Sequence, residues 1–171
     1  MVNLMLASFL ITFREALEAA LIIGIIAAYV AKIGRKDLNR YINIGIISAL
    51  IASLSVAFLF KVAYGELEGT AEELFEGTAA LVAAVVLTYM IFWMAHNSKA
   101  IKGEVQEKID ISISKGQMLG ITALSFIAVF REGVETVLFL GTLAINEPVD
   151  TVSGFIIGLA AVIALSFIMF K

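Results

Sequence analysis

Two short stretches of the chain place an arginine and two glutamates inside long apolar runs. The first is REALE in the run SFLITFREALEAAL (8–21), and the second is REGVE in SFIAVFREGVETVL (125–138). Both read R-E-x-x-E. A charge at mid-membrane depth costs at least a few kcal/mol, so charged residues there are retained for a function. The repetition of one spacing indicates that both stretches serve the same purpose.

The spacing of the motif determines which side chains can meet on a helix. Its two glutamates are three residues apart and share one face, while its arginine and second glutamate are four apart and can pair. Two such helices would present four carboxylates and two guanidiniums, a net charge of roughly −2 when all are ionised. The residues concerned are Glu15, Glu18, Glu132 and Glu135 as metal ligands, with Arg14 and Arg131 as charge-balancing groups.

Carboxylate oxygens are suited to hard cations, whereas soft metals prefer sulfur or imidazole. The chain has no cysteine, and its single histidine, His96, lies far from both motifs. We therefore predict a midplane site for a hard, highly charged cation. The alternative is a pair of intramembrane salt bridges that only fix helix packing. That alternative leaves the first glutamates, Glu15 and Glu132, without an obvious partner.

The elements that must position these motifs are membrane helices. Hydrophobic residues make up 61% of the 171 residues and the mean hydropathy is +1.00, far above the values of a soluble domain. The net charge of −3 without a basic patch argues against a nucleic-acid partner. With about 20 apolar residues to a span, the sequence predicts one all-α transmembrane bundle over 1–171. Its five spans are 3–31, 41–62, 74–95, 117–145 and 151–170.

The loops predict the orientation of the bundle. Lysine and arginine accumulate in cytoplasmic loops, and the first and third connections carry them. The second connection, YGELEGTAEELFEG, has five glutamates and no lysine or arginine, and NEPVD (146–150) is a tight acidic turn. We therefore expect an integral protein of the plasma membrane, with the N-terminus outside and Lys171 inside.

The two motifs belong to an internal repeat. Residues 8–29 align without gaps on 125–146 at a constant offset of 117, and nine of these 22 positions are identical. Three predicted spans separate the starting points, so the first and fourth helices run in opposite directions. This pattern indicates an inverted-topology repeat, with a transport site near the midplane between the repeats. Counting residues from each helix end puts both motifs at the same depth.

These residues also carry a resemblance to a known family. REALE, REGVE, and EELFEG followed by LVAAVVLTYMIFWM resemble the paired signature and third helix of the oxidase-dependent iron permeases, over essentially the whole chain. The resemblance implies iron uptake, with the motif glutamates binding and passing the ion and with Glu73 and Glu76 as outer ligands. It also implies an extracellular or periplasmic ferroxidase or iron-delivery partner, and no permanently bound cofactor.

Our functional prediction is therefore a transporter, not an enzyme, that moves ferric iron inward. Permeases or channels for Pb²⁺, Mn²⁺ or Fe²⁺ would use the same residues. An intramembrane di-iron oxidoreductase is a third hypothesis, although such sites usually include Glu-x-x-His, which neither motif has. A structural subunit is the fourth. Members of the family that the chain resembles usually have seven helices. We therefore expect either a fragment or short form lacking the last two, or a wall supplied by another subunit, for example in a homo-oligomer.

Overall fold

The computed structural model describes residues 2–65, 101–114 and 118–169, together with single positions between 74 and 92. Every regular element within these residues is helical. The helices are α1 (Val2–Lys32), α2 (Asn39–Gly65), α3 (Ile101–Ser114), α4 (Met118–Asn146) and α5 (Pro148–Met169), with a 3₁₀ turn at Lys36–Leu38 before α2. The described positions between 74 and 92 are also helical, and they are exposed.

The turn between α1 and α2 has a clear local cause. Gly34 adopts φ +74°, a left-handed conformation that glycine reaches without the steric penalty of a Cβ. The Gly34 N–H donates to the Ala31 carbonyl and the Arg35 N–H to the Val30 carbonyl, each at 3.1 Å. This is the hydrogen-bond pattern of a Schellman motif. It ends α1 and returns the chain into α2.

The four long helices pack in two closely associated pairs, α1 with α5 and α2 with α4. At the first crossing, a Cβ on Gly154 would lie 2.8 Å from Ser8 Cβ and 2.9 Å from the Phe9 nitrogen. At the second, a Cβ on Gly45 would lie 2.8 Å from Ser125 Cβ and 3.0 Å from the Phe126 nitrogen. Glycine is therefore needed at both crossings because the neighbouring backbone comes so close, as in other membrane helix pairs.

The two glycine crossings are made at equivalent positions of the sequence repeat. Ser8 and Phe9 are the repeat counterparts of Ser125 and Phe126. Each of the two segments also contains a stacked pair of phenylalanine rings. Phe9 stacks on Phe13 at 5.8 Å between centroids, and the equivalent residues Phe126 and Phe130 stack at 5.2 Å. The C-terminal part of α1 packs beside the N-terminal part of α4, so these two helices run in opposite directions.

An apolar cluster closes the end of the bundle at which α1 ends and α2 and α4 begin. Its fully buried members come from four elements: Ile26, Val30, Leu38, Ile109 and Ile121. Ile109 belongs to α3, which is held to α1 at the same end. There the Tyr29 hydroxyl donates to the Asp110 carboxylate, with oxygen distances of 2.6 and 2.7 Å.

The described residues are all-helical, as the sequence predicts, and they include one helix that was not predicted. Two helices, over Lys36–Val62 and Pro148–Met169, are long and apolar enough to cross a membrane by composition alone. Helices α1 and α4 have similar lengths and carry the motif charges. The third predicted span (74–95) lies mostly outside the described residues. We predicted no helix in the lysine-containing third connection, but α3 forms there, and α5 begins at Pro148 rather than 151.

Candidate metal centre

The glutamates of both motifs point into the bundle rather than outward. Their burial follows from the helix period, because α1 and α4 face each other along the stripe that carries the motifs. Glu15 is 1% exposed, Glu132 2% and Glu135 5%. Carboxylates are almost never this buried unless they are paired or bind a cation.

Three carboxylates from the two helices converge at one point. One oxygen each from Glu15, Glu132 and Glu135 can be chosen so that all three lie within 4.8 Å of one another. We call these three residues the carboxylate cluster. Three converging anionic oxygens in a buried space repel one another strongly unless a cation or protons are present. Their arrangement is that of a site for a hard cation with oxygen ligands.

The first motif forms the ion pair that the spacing predicts. Arg14 Nε donates to Glu18 Oε1 at 3.0 Å, four residues along the helix. Arg14 Nη2 also lies 3.4 Å from Glu15 Oε1. Glu18 is more accessible than the cluster, with 14% of its side chain exposed. The arginine therefore links the buried carboxylate of Glu15 to the more exposed carboxylate of Glu18.

The second motif forms the predicted ion pair at a longer distance and adds a closer pair with the neighbouring glutamate. Arg131 Nε donates to Glu132 Oε1 at 2.9 Å, and Arg131 Nη2 also contacts this oxygen. Arg131 Nε also lies 3.7 Å from Oε1 of Glu135, the partner expected from the i,i+4 spacing. The expectation that Glu132 has no partner was wrong, because the flexible arginine turns toward its neighbour in sequence. Similarly, Glu15 is in ion-pair distance of Arg14.

Several oxygens of the site still lack a hydrogen-bond donor. Among the described residues, these buried atoms are both carboxylate oxygens of Glu15 and the Oε2 atoms of Glu18, Glu132 and Glu135. A buried acceptor without a donor costs about 1–3 kcal/mol, and more when it is charged. The unpaired lone pairs are therefore available to a cation. The predicted outer ligands Glu73 and Glu76 lie outside the described residues.

The comparison with protein families agrees with this donor set. Residues 5–171 match the family model described as "Iron permease FTR1 family". The chain belongs to the iron permease FTR1 family. This result confirms the resemblance inferred from the two R-E-x-x-E motifs, and it identifies a family of transporters rather than enzymes. Together with the two strongly apolar helices, it makes the chain an integral membrane protein.

Similar proteins come from archaea and bacteria. An uncharacterized protein of Archaeoglobus fulgidus is 40% identical over 167 residues, covering 98% of this chain and 58% of its own length. "Ferrous iron permease EfeU" of Yersinia pestis is 36% identical, covering 89% and 56%. The protein of that name in Escherichia coli O6:H1 (strain CFT073) is 35% identical, covering 97% and 61%.

The chain spans less than two thirds of the length of the curated relatives that it matches. No solved structure shows a significant match.

Two residues at the site were not singled out in the sequence. Thr12 and Ser53 line a cavity of about 610 Å³ together with Glu15 and Glu132. Thr12 is 1% exposed and Ser53 is 7% exposed, and neither hydroxyl has a hydrogen-bond partner among the described residues. Serine and threonine are common in membrane helices, so their type alone gave no signal. The signal lies in the tertiary contacts.

Proposed function

We propose that the protein carries iron into the cell and that the carboxylate cluster is the site through which the ion passes. The observation that supports this proposal best is the convergence of Glu15, Glu132 and Glu135 to within 4.8 Å at nearly complete burial. Family membership supplies the cargo class, and the printed names of the bacterial relatives refer to ferrous iron.

The two arginines make the cluster compatible with both loaded and empty states. Four motif glutamates and two arginines sum to roughly −2 when all are ionised, so an incoming cation is attracted. When the ion leaves, Arg14 and Arg131 remain within ion-pair distance of the carboxylates and reduce their mutual repulsion. Glu18, being more exposed, acts as an intermediate ligand between the cluster and the water-filled approach.

The oxidation state of the bound ion is part of the proposal. A set of anionic oxygens without sulfur or imidazole favours the harder ferric ion over the ferrous ion. Ferric iron binds carboxylates tightly, and its passage therefore requires exchange between successive carboxylates. Glu73 and Glu76 are proposed as outer ligands that precede the cluster, and delivery by an oxidising or iron-binding partner outside the membrane fits this chemistry.

The proposed architecture is an inverted repeat with the N-terminus outside. The matched crossings at Gly45 and Gly154, the matched phenylalanine pairs and the opposite directions of α1 and α4 support it. Such repeats commonly bind their substrate at the midplane between the halves. Completion of the pore by further helices or by a second copy belongs to the same proposal.

Uptake of radioactive iron by a cell deficient in iron transport tests the function. The protein is compared with Glu15→Gln and Glu132→Gln, which keep the shape of the side chain and remove its charge. Glu107→Gln is the control, because Glu107 is exposed on α3. Ferric and ferrous iron are supplied separately, each with and without excess Mn²⁺ or Pb²⁺.

We expect both cluster substitutions to abolish iron uptake without lowering the amount of protein in the membrane. The control Glu107→Gln should transport iron normally. Preferential uptake of ferric iron supports the proposed oxidation state, whereas preferential uptake of ferrous iron refutes that part alone. If the cluster variants transport iron as well as Glu107→Gln does, the glutamates are structural ion pairs and the proposed pathway is wrong.

A further inference from the structure

The cavity beside the carboxylate cluster contains two hydroxyl groups in an unusual state. Most described hydroxyls on these helices donate to a carbonyl of their own helix, as those of Ser8, Ser55 and Thr142 do. This is the ordinary way in which a hydroxyl is satisfied within a membrane helix. Among the described residues, Thr12, Ser53 and Ser125 lack such a bond although all three are more than nine-tenths buried. Of these three, Thr12 and Ser53 line the cavity beside the cluster.

Both hydroxyls line the cavity that Glu15 and Glu132 of the cluster also line. Thr12 lies on α1, three residues and so one turn before Glu15, on the same helix face. Ser53 lies on α2, packed against Gly133, which directly follows Glu132. All of them line the same cavity.

The approach of Ser53 depends on the glycine of the second motif. A Cβ at position 133 would overlap the Ser53 hydroxyl and would lie 2.8 Å from Ser53 Cβ. The equivalent position of the first motif is Ala16. The difference between REALE and REGVE therefore makes room for a hydroxyl at one motif only.

A buried hydroxyl without a partner is unfavourable by about 1–3 kcal/mol, so its presence needs an explanation such as a bound water or ion. Resting on the function proposed above, we propose that Thr12 and Ser53 supply neutral oxygen ligands to the transported cation. Together with the carboxylate cluster they form a mixed set of anionic and neutral oxygens. Neutral ligands add coordination without adding charge, which binds a hard cation less tightly than further carboxylates would and so aids its release.

The experiment compares Thr12→Val and Ser53→Ala, which remove the hydroxyl at nearly constant shape, with Thr12→Ser, which retains it. Thr142→Val and Ser55→Ala are matched controls, since their hydroxyls are bonded within their own helices. Iron uptake, the amount of protein in the membrane and the unfolding temperature in detergent are measured for each variant.

We expect Thr12→Val and Ser53→Ala to raise the half-saturating iron concentration about tenfold, the effect of losing one contact to a charged group. Thr12→Ser and both controls should transport normally. Because the lost hydroxyls have no partner within the part of the chain that the structure describes, the unfolding temperature of the two variants should stay the same or rise.

Two results overturn the inference. Normal iron uptake by both hydroxyl-free variants would exclude a role as ligands. A loss of uptake accompanied by a lower unfolding temperature or less protein in the membrane would assign the hydroxyls to packing. Inclusion of Glu132→Gln separates the two proposals: if this variant also transports normally, the proposed function itself fails, whereas its inactivity beside active hydroxyl variants refutes only the ligand role of Thr12 and Ser53.

Discussion

Replacing Gly154 or Gly45 by alanine should destabilise the bundle by similar amounts. A Cβ at 154 would lie 2.8 Å from Ser8 Cβ and 2.9 Å from the Phe9 nitrogen, and one at 45 would lie 2.5 Å from the Thr122 carbonyl oxygen. Ordinary contacts of a Cβ begin near 3.4 Å. Because the obstructing atoms include backbone, no side-chain rotation relieves the overlap, and the paired helices must move apart.

The magnitude follows from two opposing effects. Overpacking of this kind typically costs about 1–3 kcal/mol, while replacing glycine by alanine within a helix returns about 0.5–1 kcal/mol. We therefore expect a net loss of about 1 kcal/mol at each crossing. Gly103→Ala is the control, since nothing lies within 4 Å of its Cβ position on α3. It should be neutral or slightly stabilising, which leaves a difference of about 1–2 kcal/mol between control and crossing variants.

Reversible unfolding of the purified protein in mixed micelles, followed by circular dichroism, measures these differences. Equal losses for Gly45→Ala and Gly154→Ala are expected because the two glycines contact repeat-related segments. If either variant is as stable as Gly103→Ala, that crossing is not as tight as the structure indicates. If only one of the two is destabilised, the two halves do not share a packing geometry, and the inverted repeat is refuted.

Two further predictions concern ion pairs and the short helix. Arg131→Met should destabilise the protein by about 2–3 kcal/mol, which is less than the roughly 3–5 kcal/mol for breaking a fully buried pair because Arg131 is 35% exposed. Arg35→Met breaks an exposed pair and should leave the unfolding midpoint unchanged. Equal midpoints for the two variants would show that Glu132 needs no counter-charge. Tyr29→Phe removes the hydroxyl that binds Asp110, so α3 should be cleaved faster in limited proteolysis, and an unchanged cleavage rate would show that this bond does not hold the helix.

The meeting of the two motifs could be predicted because it depends on regular geometry. Glu15 and Glu132 are related by the constant offset of the repeat, and a helix rises about 1.5 Å per residue, so equal residue counts give equal depth. Burial of the motif face follows from the high cost of exposing charge to lipid. Neither inference required knowledge of individual contacts.

The partners of the arginines could not be predicted in the same way. Arg14 follows the i,i+4 geometry and contacts Glu18, whereas Arg131 turns to Glu132 although the spacing is identical. Long arginine side chains have many rotamers of similar energy, so the surrounding packing decides between neighbouring carboxylates. One such difference is the Gly133 position, where the second motif lacks the methyl group of Ala16.

The helix α3 was missed although the sequence contains a signal for it. Ile101, Val105 and Ile109 follow one another at intervals of four, the spacing of an apolar helix face. The prediction instead weighed the mixed charges of this connection, which are typical of a loop. Burial of Ile109 against the ends of α1, α2 and α4 is a tertiary effect that stabilises a helix with modest intrinsic amphipathicity.

The two halves of the bundle resemble each other in packing but differ in the oxygens that they present. Thr12 has Val129 as its repeat counterpart, so the hydroxyl that we propose as a ligand on α1 is replaced by a methyl group on α4. Such differences cannot set the direction of net transport, because the free-energy difference of the ion across the membrane does so for any passive pathway. They can, however, set the rates of capture and release separately on the two sides. For a passive pathway, exchanging the residues in the double variant Thr12→Val/Val129→Thr should therefore change the kinetics of iron uptake while leaving the equilibrium distribution of iron unchanged.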